Sequence, residues 1–183
     1  PGSRVAQAAP VAARAASGER ARNRDDYLRR IDGLPWGDDP SEGIVIAHRF
    51  VHPDLRIALE FPDGWTVQNS STQVVATPDD ERRLMLFRGA DEARGPSLAD
   101  GARRHMRGLG FSLEDGAADD IDGLTSYVAT YTGKASGLGK VRVRAAHVTL
   151  GRQVYLVAGV APEAEFAAAE PEFDQTLRSF RQL

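Results

Sequence analysis

The sequence predicts an α+β domain, an antiparallel sheet with helices packed on it, and three observations carry the prediction. From residue 44 onward apolar residues recur with period two in short segments. Those segments are joined by turn-forming residues too few for crossover connections, so successive strands pair antiparallel. Helical periodicity replaces the two-residue period at three places, near 20–32, over Ser97–Leu109 and after Pro162. At 183 residues with 42% hydrophobic content, the chain is large enough to close a real core and too apolar to stay disordered.

Taken in order, residues 1–19 are Ala- and Arg-rich and end in Ser17-Gly18, reading as a weak helix, a linker or the tail of a preceding domain. In residues 20–32, Tyr27, Leu28 and Ile31 make an apolar stripe, and Asp25/Arg29 and Asp26/Arg30 are i,i+4 pairs. Gly33 can end that helix in the left-handed conformation, and Gly, Pro and Asp make 33–43 a loop. Ile44–Phe50 reads as a strand. Leu55, Ile57, Leu59 and Phe61 alternate with Arg56, Ala58 and Glu60 as a half-buried strand. Pro62-Asp63-Gly64 is a turn. Strands are expected at Trp65–Gln68, Gln73–Thr77 and Arg82–Arg88. Ser97 caps the next helix, whose Leu98, Ala102, Met106 and Leu109 share a face and which Gly110 closes. Leu124–Thr132, Val141–Leu150 and Gln153–Val160 then form consecutive hairpins around the loop Gly133–Gly139 and the turn Gly151-Arg152. The C-terminal helix is started by Pro162 and restarted at Pro171, with Phe166, Phe173, Leu177 and Phe180 as its buried stripe. The resulting order is helix, five strands, helix, three strands, helix.

Composition excludes whole classes of function. There is no cysteine, which rules out disulfides, thiol nucleophiles and cysteine-ligated zinc. A formal charge of −3 offers no general basic field for nucleic acid. No apolar run approaches the roughly 18–20 residues of a membrane span. The charge is uneven: residues 1–32 carry seven Arg and four acids, and residues 33–183 carry 16 bases and 22 acids. Val5–Ala16, broken by Pro10 and Arg14, does not make a signal h-region, so any export signal is expected upstream.

The chemistry-bearing motifs fail on spacing or context. His48-Arg49-Phe50-Val51-His52 has the two-histidine spacing of HExxH, but Arg49 stands where the glutamate base belongs. On an extended strand, i and i+4 lie about 13 Å apart, too far to share one zinc. Asp119-Asp120-Ile121-Asp122-Gly123 resembles a calcium loop, yet the first carboxylate and the closing glutamate fall on Ala118 and Ala129. An acidic turn is the expectation. Gly133-Lys134-Ala135-Ser136 lacks the earlier glycine of a phosphate loop, position 128 being Val128, and reads as a hairpin loop. His105 and His147 stand alone in the sequence, His105 on the capped helix off the Leu98/Met106 line and His147 on the face of Val143 and Ala145, as a core or rim histidine. Trp65 is expected to pack in the core. Trp36, in an acidic loop, either docks against another part of the molecule or packs on its own sheet. With no catalytic constellation, the chain is not expected to be an enzyme.

The stretch RDDYLRRIDGLPWGDDPSEGIV through RFVHPDLRIALEFPDGWTVQN, Arg24 to Asn69, resembles the segment that follows the catalytic domain in bacterial extracytoplasmic zinc metalloproteases of peptidase family M-forty-eight. The matching features are Tyr27-Leu28, Ile31-Asp32-Gly33, Gly37-Asp38-Asp39-Pro40, His52-Pro53 and Pro62-Asp63-Gly64. The early Ser3–Ala8 is similar to the last helix of such a catalytic domain. The Pro62-Asp63-Gly64-Trp65 turn and, beyond residue 70, the Ser-capped helix, the long hairpin and the Phe173…Phe180 helix resemble PsbP-like domains. Those are α/β/α sandwiches around a central antiparallel sheet, generally non-enzymatic and protein-binding.

The resemblance implies a tail of a preceding, catalytic domain or a linker at 1–19 and a PsbP-like domain at 20–183. It implies a periplasmic or otherwise extracytoplasmic location. The parent would be a zinc-dependent protease of envelope proteins, with no cofactor in this chain. The domain would dock on its own catalytic domain or bind substrate or envelope proteins, with Trp36, Asp38, Asp39 and Pro40 as the candidate docking residues. The alternative is a stand-alone PsbP-like binding lipoprotein without protease activity.

Overall fold

The computed structural model describes residues 42–183. The expected helix over 20–32, the boundary at 19/20 and Trp36, Asp38, Asp39 and Pro40 lie outside them. The described strands are β1 (Ile44–Ile46), β2 (Arg49–His52), β3 (Ile57–Glu60), β4 (Thr66–Asn69), β5 (Gln73–Thr77), β6 (Leu84–Gly89), β7 (Ser112–Ile121), β8 (Leu124–Ala135), β9 (Gly139–Leu150), β10 (Gln153–Pro162) and β11 (Arg181–Gln182). A 3-10 turn at Asp91–Ala93 precedes helix α1 (Leu98–Gly108), and α2 is Glu163–Ser179. Seven strands form one antiparallel sheet in the order β4-β5-β6-β10-β9-β8-β7. A second antiparallel sheet runs β1-β2-β3-β11.

The large sheet has a core on each face. On one face Met85, Phe87, Val128, Ala146, Val148, Tyr155 and Val157 meet α2, through Phe166, Ala169, Phe173 and Leu177, and the small sheet, through Phe50, Ile57 and Leu59. On the other, Tyr127, Ala129, Tyr131, Val143, Ala145, Leu156 and Ala158 lie with Ala102 and Met106 of α1. Two glycines permit these close approaches. A Cβ on Gly159 would come 2.3 Å from Phe173 Cγ, and one on Gly101 would come 1.5 Å from the Ala93 carbonyl oxygen.

The α+β antiparallel architecture expected from the sequence is the one observed, with five corrections, of which the first is the unexpected short strand β11 after the last helix. The single strand expected over Ile44–Phe50 is two, β1 and β2, because the chain reverses at Ala47, whose φ is 56°. β7 was not expected. It is an edge strand, mostly exposed and carrying Glu114, Asp115, Asp119 and Asp120, so it lacks the apolar alternation that marks a half-buried strand. The loop Gly133–Gly139 is shorter than expected, since β8 runs to Ala135 and β9 starts at Gly139. Pro171 does not restart the last helix, because α2 passes through it unbroken. Pro171 and Ala167 are both exposed, so the carbonyl that loses its partner faces solvent. The stripe Phe166, Ala169, Phe173 and Leu177 continues buried across the proline.

Ser97 caps α1 as expected, its hydroxyl accepting from the Asp100 N–H at 3.1 Å. Trp65 is buried in the core, with the Arg83 guanidinium 5.4 Å from its ring centre. Asp122-Gly123 is the tight acidic turn between β7 and β8, both residues with positive φ and the Gly123 N–H donating to Asp120.

Candidate functional site

A cleft of about 230 Å3 opens where β2 meets the β4-β5-β6-β10 half of the large sheet. Its apolar floor is aromatic. Phe50 and Phe87 have ring centres 5.6 Å apart, and Phe87 stacks on Tyr155 at 5.7 Å. Alternation places these rings: Phe87 and Tyr155 project from neighbouring strands on the same face of the large sheet, and Phe50 comes from β2 above it.

The polar rim comes from the β4–β5 hairpin and β10. Ser70 braces the hairpin, its hydroxyl donating to the Gln73 carbonyl at 2.6 Å. The Tyr155 hydroxyl donates to Gln153 at 2.7 Å, and burial, with Asp91 adding to it, raises its pKa. Arg88 bonds Glu92 at 3.0 Å and the Gly89 carbonyl at 3.1 Å.

Asn69 is the distinctive group. Its amide NH2 donates to two backbone carbonyls, Glu42 and Gly43, each at 3.1 Å. Those bonds fix which way the amide faces, because a flipped amide would set its oxygen against two other oxygens. The buried Oδ1 therefore remains an acceptor, with no hydrogen-bond partner among the described residues. Asn69 lines the cleft beside this aromatic floor, with its Oδ1 buried. The floor suits an inserted apolar side chain or small group. Glu42, the first described residue, lines the same cleft.

The remaining motif residues are placed apart from the cleft or bound into local structure. His48 sits in the β1–β2 turn, 3.6 Å from Asp63. His52 lies on β2 at the cleft wall, where its Nδ1 accepts from the Leu55 N–H at 3.4 Å. The zinc implied by the family resemblance does not fit here. One His52 nitrogen is engaged, and among the described residues no three His, Asp or Glu side chains gather as a ligand set.

His105 and His147, which stand alone in the sequence, are brought together. His105 of α1 is 7% exposed and His147 of β9 is fully buried. Their Nδ1 and Nε2 atoms lie 3.0 Å apart with the rings edge-to-face. The sequence carried a signal for the pair. His105, expected off the Leu98/Met106 line, falls between Ala102 and Met106 on the buried helix stripe, and His147 alternates with Val143 and Ala145, so both point into the same layer. The Asn69 acceptor had no such signal, since its locking partners are backbone carbonyls 26 and 27 residues away.

No protein-family model and no curated protein matches the chain. Solved structures do. The cyanobacterial PsbP protein CyanoP from Synechocystis is similar at a TM-score of 0.56 and 18% identity, over 77% of this chain and 96% of that one. The Saccharomyces cerevisiae Ran-binding protein Mog1p is similar at a TM-score of 0.52 and 14% identity, over 73% of this chain and 94% of that one. At such identities the likeness concerns the fold: this is the PsbP/Mog1p-like α+β arrangement of antiparallel sheets and two helices.

Proposed function

We propose that this chain is a non-catalytic binding domain of a bacterial envelope zinc metalloprotease, docking through the cleft and its rim on the catalytic domain or on substrate and envelope proteins. The observation that carries the reading is the aromatic-floored cleft lined by Asn69 and by Glu42, the first described residue. Two further points support it. The Arg24–Asn69 stretch resembles the segment that follows the catalytic domain in that protease group, and the fold is shared with Mog1p, a protein named for binding Ran. In this reading zinc and peptide-bond chemistry belong to the parent protein, in an extracytoplasmic compartment. A tryptophan is an effective anchor at such an interface. A short covalent connection holds the two domains at high effective concentration, so a weak anchor suffices to orient them.

The second reading is a stand-alone PsbP-like binding lipoprotein, favoured by the same fold without the protease resemblance. The coding sequence upstream of Pro1 separates the two. An HExxH helix in the same reading frame supports the first, and a lipobox directly before Pro1 supports the second. Trp36→Ala then tests the docking role. Docking leaves the isolated domain near normal stability and alters proteolysis by the full-length protein, whereas packing on its own sheet costs about 3 kcal/mol or more in the isolated domain.

A further inference from the structure

The two cores of the large sheet differ in one respect. Among the described residues the buried histidines are both on the α1 side, hydrogen-bonded to each other. A neutral pair holds two N–H groups and two lone pairs, and the 3.0 Å bond uses one of each. The ring nitrogens left over, Nε2 of His105 and Nδ1 of His147, are buried and have no partner among the described residues. An added proton leaves two N–H groups unpaired and puts a full charge into an apolar layer. A second proton sets N–H against N–H and abolishes the bond. We infer that the His105–His147 pair makes α1 an acid-sensitive latch, whose protonation loosens the helix from its face of the sheet while the α2 side stays closed.

The surrounding groups do not neutralise that charge. Arg103 of α1 is directed to Tyr127 of β8, with its Nε 3.1 Å from the hydroxyl. Burial raises the pKa of Tyr131, also on β8, and keeps it neutral. Glu92 of the 3-10 turn favours a proton on His105, but Arg88 of β6, paired with Glu92 at 3.0 Å, opposes it. From β9 and β10 the same layer receives Val143, Ala145, Val154, Leu156 and Ala158, none of which titrates. Burial accordingly lowers the pKa of His105, and burial followed by the neighbouring His105 brings that of His147 down to about 3.

The sign follows from linkage. A histidine held below its free value of 6.5 binds fewer protons when α1 is docked than when it is open. Docking is therefore at full strength above about pH 6.5 and is lost progressively as pH falls below it. The helix is suited to local release because its buried footprint is small: Gly101, Ala102, His105 and Met106.

Hydrogen–deuterium exchange of the chain, corrected for intrinsic rates, tests this at about pH 7.5 and about pH 5.5. The expected result is a loss of protection in residues 98–108 of about tenfold per titrating histidine, with residues 163–179 little changed. A His105→Leu/His147→Leu double variant is expected to lose that acid response. Equal loss in both helices, or an unchanged acid response in the double variant, would overturn the inference. Should the double variant not fold, histidine-ring NMR of the unaltered chain decides. Protonation of the pair in step with α1 exposure supports the latch, and protonation with α1 still protected refutes it.

Discussion

Replacing Gly101 by alanine gives a sharp test of how α1 is held. In an exposed helix interior this exchange stabilises by about 1 kcal/mol, because glycine is the poorer helix former. Here the new Cβ would lie 1.5 Å from the Ala93 oxygen and 2.5 Å from its carbonyl carbon. Both are backbone atoms of the 3-10 turn, so no flexible side chain can swing aside. Ordinary contact requires α1 to move outward by about 2 Å. That shift breaks the 3.0 Å bond between His105 and His147 and partly uncovers Met106 and Ala102, both buried. Uncovering a buried methionine costs about 2–5 kcal/mol when complete. Less the gain in helix propensity, the expected net loss is about 2–3 kcal/mol. Urea unfolding followed by circular dichroism measures it, and hydrogen exchange should place the loss in residues 98–108 rather than in α2. A Gly101→Ala variant as stable as the unaltered chain, or more so, would refute the packing described.

On the opposite face, Phe173→Ala should lower stability by about 3–5 kcal/mol, since Phe173 is fully buried under the sheet; urea denaturation checks this. Gly159→Ala should also destabilise, and a Phe173→Leu exchange should relieve part of that loss, because the new Cβ meets the Phe173 ring at 2.3 Å. Chemical denaturation should show stability falling as pH drops below about 6.5, the slope approaching roughly 1.4 kcal/mol per pH unit for His147, with a flat profile contradicting its burial as a neutral ring. Asn69→Asp should cost about 1–3 kcal/mol by setting a carboxylate against the Glu42 and Gly43 carbonyls, measured as a shift in the denaturation midpoint. The isolated chain should take up no stoichiometric zinc; one zinc per chain by elemental analysis, lost on His48→Ala/His52→Ala, would contradict that.

What was legible in the sequence follows from where the physical signal is written. Strands buried on at least one face, such as β3, β9 and β10, show their period directly, and the α2 stripe shows in Phe166, Phe173 and Leu177. β7 is silent because an exposed, charged edge strand has no apolar face to display. Pro171 misled because a proline on the solvent side of a helix removes a hydrogen bond that water replaces, while its neighbours stay packed. The β1–β2 reversal depends on Ala47 adopting a left-handed conformation that its side chain does not advertise. At the candidate site, the aromatic floor was legible only as separate core residues. The Asn69 lock joins parts of the chain whose proximity is a property of the finished fold.

The proposal that this domain binds its partner through the cleft and its rim is tested most directly by amide chemical-shift mapping. The chain would be titrated with the catalytic domain that the proposal places upstream of it. The expected result is saturable perturbation centred on Glu42, Asn69, Gln73, Arg88 and Tyr155, weakened by Trp36→Ala. Absence of perturbation, or a perturbed surface confined to the β7 edge or to α1, would contradict it.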